Sequence, residues 1–496
     1  MGPAWLPTRG RLPLDIVTVF RRAARRHSDR MFAFDSSSSV TYAEAEERTD
    51  AIAAELVARG ITAGATLGLS AADRVALWLA IIGAWKAGAL PSLIDARVGP
   101  EGLPYFVEDI AAPVVAAAAE LHEKLAAAGA AELLDLDRLG TDRSGEQIDR
   151  HGSDAPLYLS YTSGTTGPPK GAILRSGPVT LGTACIADRL GLRSDDVLLA
   201  TTPISSSFQL VAALMPALHA GASIGLVAGS SIDEIWDVAR RSRATILVAY
   251  PLTLADMVNA PQAAEGASPF RLAMSGGSPL APRIKRDYRE TLGIALLESY
   301  GQSELGGFMA LGSSNDGERS LEGYVGRPLP DRLAYVGGPS GQELAPGDVG
   351  EVLVTHGYFS RYKNSPDKTA ETQAGGRLHT GDLAVSDPDG YLKVLGRTRE
   401  AEAAKQRGGF LRQLEDAYYD HDDVLHATVV EGGQGDVEAF VELRHDATAS
   451  AAELEEFAMT MAPPGLSPRR TTILDEMPRT FSGKADRALL ADRVGA

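Results

Sequence analysis

Residues 159–171 read Leu-Ser-Tyr-Thr-Ser-Gly-Thr-Thr-Gly-Pro-Pro-Lys-Gly, and the types suit a bound anion. Gly164 and Gly167 let backbone N–H groups come close. The hydroxyls of Thr162, Ser163, Thr165 and Thr166 add short donors, and Lys170 brings a compact positive charge. The common P-loop needs four residues between two glycines and then Lys-Ser/Thr, whereas here Lys170 follows two prolines and precedes Gly171. By residue type alone the stretch is equally an ordinary surface turn. Other groupings are weak when read singly. Glu304 in Tyr300-Gly301-Gln302-Ser303-Glu304 reads as a solvated carboxylate after a turn, and Thr380-Gly381-Asp382 is a common turn tripeptide. Lys484 reads as a loop lysine facing water.

The elements that must position these residues follow an α/β rhythm. Helical spacing at 51–58 and 72–87 alternates with strand-like runs at 66–69 and 89–94, and 111–134 reads as strand then helix. A helix over 232–241 and a buried strand over 246–249 continue the pattern. Beyond residue 332, short strands at 351–355 and 391–395 between Gly-, Pro- and Asp-rich turns predict a β-rich subdomain. Strand candidates at 426–430 and 437–443 predict a small α+β tail. The expected fold class is therefore α/β: a large multi-subdomain N-terminal domain over 1–397 with a β-rich subdomain, and a small α+β C-terminal domain over 398–496.

Composition narrows the function classes. The 496 residues exceed one typical core, and a net charge of -17 disfavours a nucleic-acid or anionic-membrane binder. The single cysteine, Cys185, leaves no disulfide framework or cysteine-rich metal site and fits a reducing cytoplasm. The longest apolar run, 75–85, is too short to span a bilayer, and the arginine-rich 15–27 reads as a surface amphipathic helix.

Taken together and in order, the groupings resemble the adenylate-forming family of acyl-CoA synthetases, AMP-dependent ligases and peptide-synthetase adenylation domains. The resemblance runs from Thr41-Tyr42-Ala43-Glu44 through the 159–171 string to Pro478-Arg479-Thr480-Phe481-Ser482-Gly483-Lys484. It implies that Thr162–Gly167 and Lys170 take phosphates, and that Gly276, Gly277, Ser278, Tyr300 and Gly301 border the adenine. Ser303 would reach the α-phosphate, while Asp382 and Arg397 would take the ribose. Glu304, with Thr162, would hold Mg²⁺, for which a carboxylate and a hydroxyl are hard oxygen ligands. Lys484 would serve adenylation, where two anions must approach. A charge pair at ~4 Å in an effective dielectric of about 20 is worth about 4 kcal/mol, or roughly three decades of rate.

The resemblance implies ATP-dependent activation of a carboxylic acid as an acyl-adenylate, then thioester formation with CoA or a phosphopantetheine thiol. Ser206, Ser207, Tyr250, Met274 and Gly276 are the expected acid pocket, neutral and suited to an apolar or aromatic acyl group. An alanine-rich, lysine-poor chain also fits a specialised role such as antibiotic biosynthesis. Two departures stand out. Ser176 stands where many members have a histidine, and Ser205-Ser206-Ser207 replaces a histidine or aromatic. Past the expected hinge, Arg399, the stretch 399–410 resembles the family's thiol-lining loop only in Gly408-Gly409. This opens an alternative in which only one half-reaction is retained: adenylation with transfer to a carrier protein, amine or partner enzyme, or thioesterification of a preformed acyl-adenylate. A non-catalytic nucleotide-binding regulator is the reading from another class.

Overall fold

The computed structural model describes residues 15–141, 147–161, 169–265, 268–330, 333–355, 359–433, 435–480 and 483–494. Among them, two large sheets form the body. In the seven-stranded sheet, Thr66–Ser70 pairs in parallel with Leu90–Leu93 and Val114–Ala117, and Pro156–Tyr161 joins beside Leu90–Leu93. Gly171–Arg175 and then Phe359–Tyr362 extend this sheet antiparallel. In the nine-stranded sheet, Val197–Ala200, Ser223–Leu226, Ile246–Ala249, Leu272–Ser275 and Ala295–Tyr300 are mutually parallel, Met31–Phe34 joins them in parallel, and Ser39–Thr41 closes that edge antiparallel. Strands buried on both faces read as continuous apolar runs, as Ile246–Ala249 does.

Helices fill the space between and around the sheets. Val75–Ala87 is apolar all round and buried along its length, which is why its sequence shows no polar stripe. The motif at 41–44 is a helix start. Thr41 accepts from the Glu44 N–H at 3.3 Å, and the Glu44 carboxylate accepts from the Thr41 N–H at 2.7 Å, so the helix Tyr42–Ala58 begins with two orphan donors satisfied. Cys185 is buried, as its sequence context implies. Among the described residues no helix is long and apolar enough to cross a membrane.

A four-stranded antiparallel sheet of Ala334–Gly337, Gly350–Val354, Leu378–Ser386 and Leu392–Arg397 forms the expected β-rich part. After it, residues 398–407 differ from the sequence reading. They form a 3-10 turn, Thr398–Glu400, and a helix, Ala401–Arg407, ended by Gly408 at φ 82°. Only Ala404 of that helix is buried, so no apolar stripe announces it.

The smaller C-terminal unit carries a three-stranded sheet of Val424–Glu431, Val437–Leu443 and Arg470–Leu474. It shares one apolar cluster with the body: Leu254, Ala255, Ile284 and Tyr288 on one side, Leu414, Tyr418, Val424 and Ala427 on the other. Polar contacts frame that interface. Asp256 accepts from Arg479 at 2.7 Å and faces His426 Nε2 at 2.6 Å, while Arg444 pairs with Asp287 at 3.0 Å.

Candidate active site

Lys170, Ser206, Ser207, Gly277, Gly301, Ser303, Glu304, Arg397 and Lys484 line one polar cleft of about 570 Å³. It lies where the parallel strands of the body end, as ligand sites in such sheets do, and the C-terminal unit closes one side. Strand Ala295–Tyr300 delivers Tyr300, and a 3-10 turn, Ser303–Leu305, sets Ser303 and Glu304 just beyond it. The backbone here is tight: a Cβ at Gly301 would sit 1.7 Å from the Gly307 carbonyl oxygen, so only glycine fits.

Opposite, strand Leu378–Ser386 supplies Asp382. Its carboxylate accepts from the Tyr300 hydroxyl at 2.7 Å and from Gln302 Nε2 at 2.6 Å, and Arg397 Nε pairs with it at 3.0 Å. Burial raises the Asp382 pKa above the usual carboxylate range, opposed by Arg397, Tyr300 and Gln302. Burial also holds the Tyr300 phenol far above its ordinary value, so it remains a hydrogen-bond donor. Asp382 thus has a fixed orientation, and Arg397, nearly half exposed, presents its guanidinium at the cleft edge.

Lys484 enters from the C-terminal unit. Its Nζ lies 5.0 Å from the centre of the Tyr250 ring, and a Cβ built at Gly277 would be 3.3 Å from it. Burial pulls its pKa down to about 8. Across the cleft, Lys170 Nζ lies 5.7 Å over the Tyr362 ring, and the Tyr362 hydroxyl donates to Glu304. Glu304 thus presents a carboxylate to the cleft, the hard-oxygen type of group that a divalent cation takes.

The expected acid-lining residues divide. Ser207 Oγ lies 3.3 Å from Ser303 Oγ, and Ser206 Oγ shares a 2.8 Å hydrogen bond with the Tyr250 hydroxyl. Met274 is fully buried in strand Leu272–Ser275, behind the cleft wall. Gly276 is covered by Phe208 and Ser299, whose atoms would meet a Cβ there at 2.6 and 2.2 Å. Ser278 is half-buried beside the cleft-lining Gly277. Ser176 is fully buried and bonds His151 Nε2 at 2.8 Å, so its hydroxyl is engaged away from the cleft. Thr162, Ser163, Gly164, Thr165, Thr166 and Gly167 lie outside the described residues.

Among the contributors to the cleft given no role from the sequence are Gln302, Glu351, Tyr362 and Phe208. Glu351 accepts from the Gly381 N–H at 2.9 Å and faces His379 Nδ1 at 2.8 Å, fixing the turn before Asp382. Phe208 stacks on Tyr250 at 5.5 Å and meets Phe308 edge-on at 5.6 Å. The placement of Gln302, inside the Tyr300–Glu304 motif, was the one signal available.

Comparison with known proteins agrees with this arrangement. Residues 20–361 match the family profile described as AMP-binding enzyme. The 4-hydroxybenzoate--CoA/benzoate--CoA ligase of Rhodopseudomonas palustris is 27% identical, over 96% of this chain and 93% of its own. The indoleacetate--CoA ligase of Aromatoleum aromaticum is 30% identical over 69% of each chain. The crystal structure of ATP-bound MatB from Rhodopseudomonas palustris superposes with a TM-score of 0.85 at 26% identity, covering 97% of this chain and 99% of that one. With a family match over most of its length and a cleft assembled from the family's own motifs, the chain belongs to the AMP-binding enzymes, the adenylate-forming ligases.

Proposed function

We propose that this enzyme activates a carboxylic acid with ATP as an acyl-adenylate and then transfers the acyl group to the thiol of CoA. The observation that carries the first step is Lys484, a half-buried lysine brought from the C-terminal unit into a cleft that also holds Ser303, Glu304, Lys170 and the Asp382–Arg397 pair. In this reading Asp382 accepts from the ribose hydroxyls and Arg397 adds a donor. Tyr300, Gly276, Gly277, Ser278 and Gly301 border the adenine. Lys170 and Ser303 contact phosphate oxygens, with Thr162–Gly167 completing the phosphate loop. Lys484 bridges the attacking carboxylate and the α-phosphate, lowering the repulsion between two anions.

Glu304 with Thr162 would hold Mg²⁺; such an ion, when bound, polarises phosphate oxygens. Ser206, Ser207 and Tyr250 would face the acid, with Phe208 forming an aromatic wall above Gly276 and Met274. Aromatic rings favour an apolar or aromatic acyl group, and the two curated relatives are named for benzoate and indoleacetate. We place the domain boundary after Arg397, with Arg399 as the hinge about which residues 398–496 turn between the two half-reactions.

The helix Ala401–Arg407 supports a second reading. It stands where thioester-forming members are expected to offer an extended thiol-lining loop, so the acyl group would pass to a carrier-protein phosphopantetheine, an amine or a partner enzyme. The test of the activation step is acid-dependent ATP–pyrophosphate exchange over a panel of benzoates, cinnamates, arylacetates and short aliphatic acids. Exchange with an aromatic acid supports the reading. Exchange with none of them, under conditions where Mg·ATP binds, removes it.

A further inference from the structure

The serine-rich turn at the cleft is held from behind by the other sheet. Asp73 lies between strand Thr66–Ser70 and helix Val75–Ala87, and Asp95 follows strand Leu90–Leu93, both at strand ends of the seven-stranded sheet. The turn 203–207 follows strand Val197–Ala200 of the nine-stranded sheet. Both Asp73 carboxylate oxygens accept from the Ile204 backbone N–H, at 2.9 and 3.0 Å. Asp95 accepts from the Ser205 hydroxyl and is itself paired with Arg97 at 2.7 Å. The next three residues are those that meet the cleft: Ser206 bonded to Tyr250, Ser207 beside Ser303, and Phe208 stacked on Tyr250.

We propose that Asp73 is a positioning residue which, with Asp95, clamps the turn 203–207 to the seven-stranded sheet and so sets how the enzyme holds its carboxylic acid. The link to the acid rests on the function proposed above; the clamp does not. Carboxylates serve here because a charge-assisted bond to a backbone N–H is shorter and stronger than a neutral one. The clamp is also sensitive to protonation. Burial raises the Asp73 pKa to about 7, opposed by the Ile204 N–H and Arg97 and reinforced by Asp95. The groups facing it are Asp95 and Arg97 from the segment after Leu90–Leu93 and the Tyr250 phenol. Next to it, Arg74 is engaged by Glu120 and Asp137, and Asp35 caps the same helix start at the Val75 N–H. A raised carboxyl pKa leaves Asp73 neutral below about 7 and ionised above, so the clamp tightens as pH rises through that value.

Hydrogen–deuterium exchange of the peptide covering 203–208, corrected for intrinsic rates between pH 6 and 8, tests the clamp without any substrate. Wild type should gain protection across the range by about tenfold, the scale of one hydrogen bond to a charged group. Asp73→Asn keeps an acceptor and should give a flat profile near the low-pH level, while Asp73→Ala should lose protection throughout. In pyrophosphate exchange with the fastest acid of the panel, Asp73→Ala should raise the KM for the acid about tenfold and leave that for ATP unchanged, with Asp73→Asn intermediate. Wild-type protection and pH profile in both variants would overturn the clamp. Lost protection with an unchanged KM for the acid would overturn its link to the acid. Lost protection with no exchange for any acid would count against the proposed function instead.

Discussion

At the scale of single residues, the proposed function rests most on Lys484, which lines the cleft beside Tyr250. Replacing it with alanine should leave ATP binding within a few fold and cut adenylate formation by roughly three decades, as its charge is needed only when two anions meet. Burial has lowered its pKa to about 8, so it is cationic below that value and neutral above it. The acid-side kcat/KM for pyrophosphate exchange should therefore fall as pH rises through about 8, and Lys484→Arg should remove that inflection even if slower. Asp382→Asn should raise the KM for ATP by about tenfold with a smaller effect on kcat, because it weakens a charge-assisted contact made in the ground state as well. Steady-state kinetics at varied ATP would show this, and an unchanged KM would remove Asp382 from nucleotide binding. Asp382 and Lys484 stood out in the sequence because each ends a short string, Thr380–Asp382 and Pro478–Lys484. Tyr362 did not: it reaches Glu304 only because Phe359–Tyr362 crosses to pair with Gly171–Arg175 in the seven-stranded sheet.

At the scale of elements, tight turns and strand ends decide where the side chains point. Gly301→Ala places a Cβ against the Gly307 carbonyl at 1.7 Å and should displace the Ser303–Leu305 turn. We expect loss of at least 2 kcal/mol of stability, roughly the strain of an overpacked site, with loss of exchange activity. A thermal unfolding curve matching wild type would contradict it. Parallel strands such as Ile246–Ala249 were legible because burial on both faces leaves an apolar run. The helix Ala401–Arg407 was not, because it lies on the surface with one buried alanine and has no stripe to mark it. Met274 shows a similar limit, since neither its type nor its position after Ala273 says that its side chain is fully buried in the core of the body.

At the scale of the whole molecule, the position of Lys484 depends on how the C-terminal unit sits. The Asp256–His426–Arg479 cluster ties the two parts beside their apolar seam, with His426 fully buried. Asp256→Ala leaves both partners without their carboxylate and should lower stability by about 3 kcal/mol, read as a shift in the denaturation midpoint. It should also slow adenylation relative to ATP binding, because Lys484 travels with that unit. The small C-terminal unit followed from the strand candidates at 426–430 and 437–443 beyond Arg397, but the shared seam did not. Its residues, Leu254 and Ile284 against Leu414 and Val424, are ordinary core positions in sequence and become an interface only in three dimensions.

The central claim is an acid-to-thiol transfer that needs Lys484 for its first step. Mass spectrometry of reactions with Mg·ATP, the acid panel and CoA, run beside Lys484→Ala, tests it directly. Wild type should give an acyl-CoA product, with neither acyl-CoA nor acyl-adenylate above background from the variant. Equal product from the two proteins, or ATP bound by wild type with no acyl product from any acid, would contradict it.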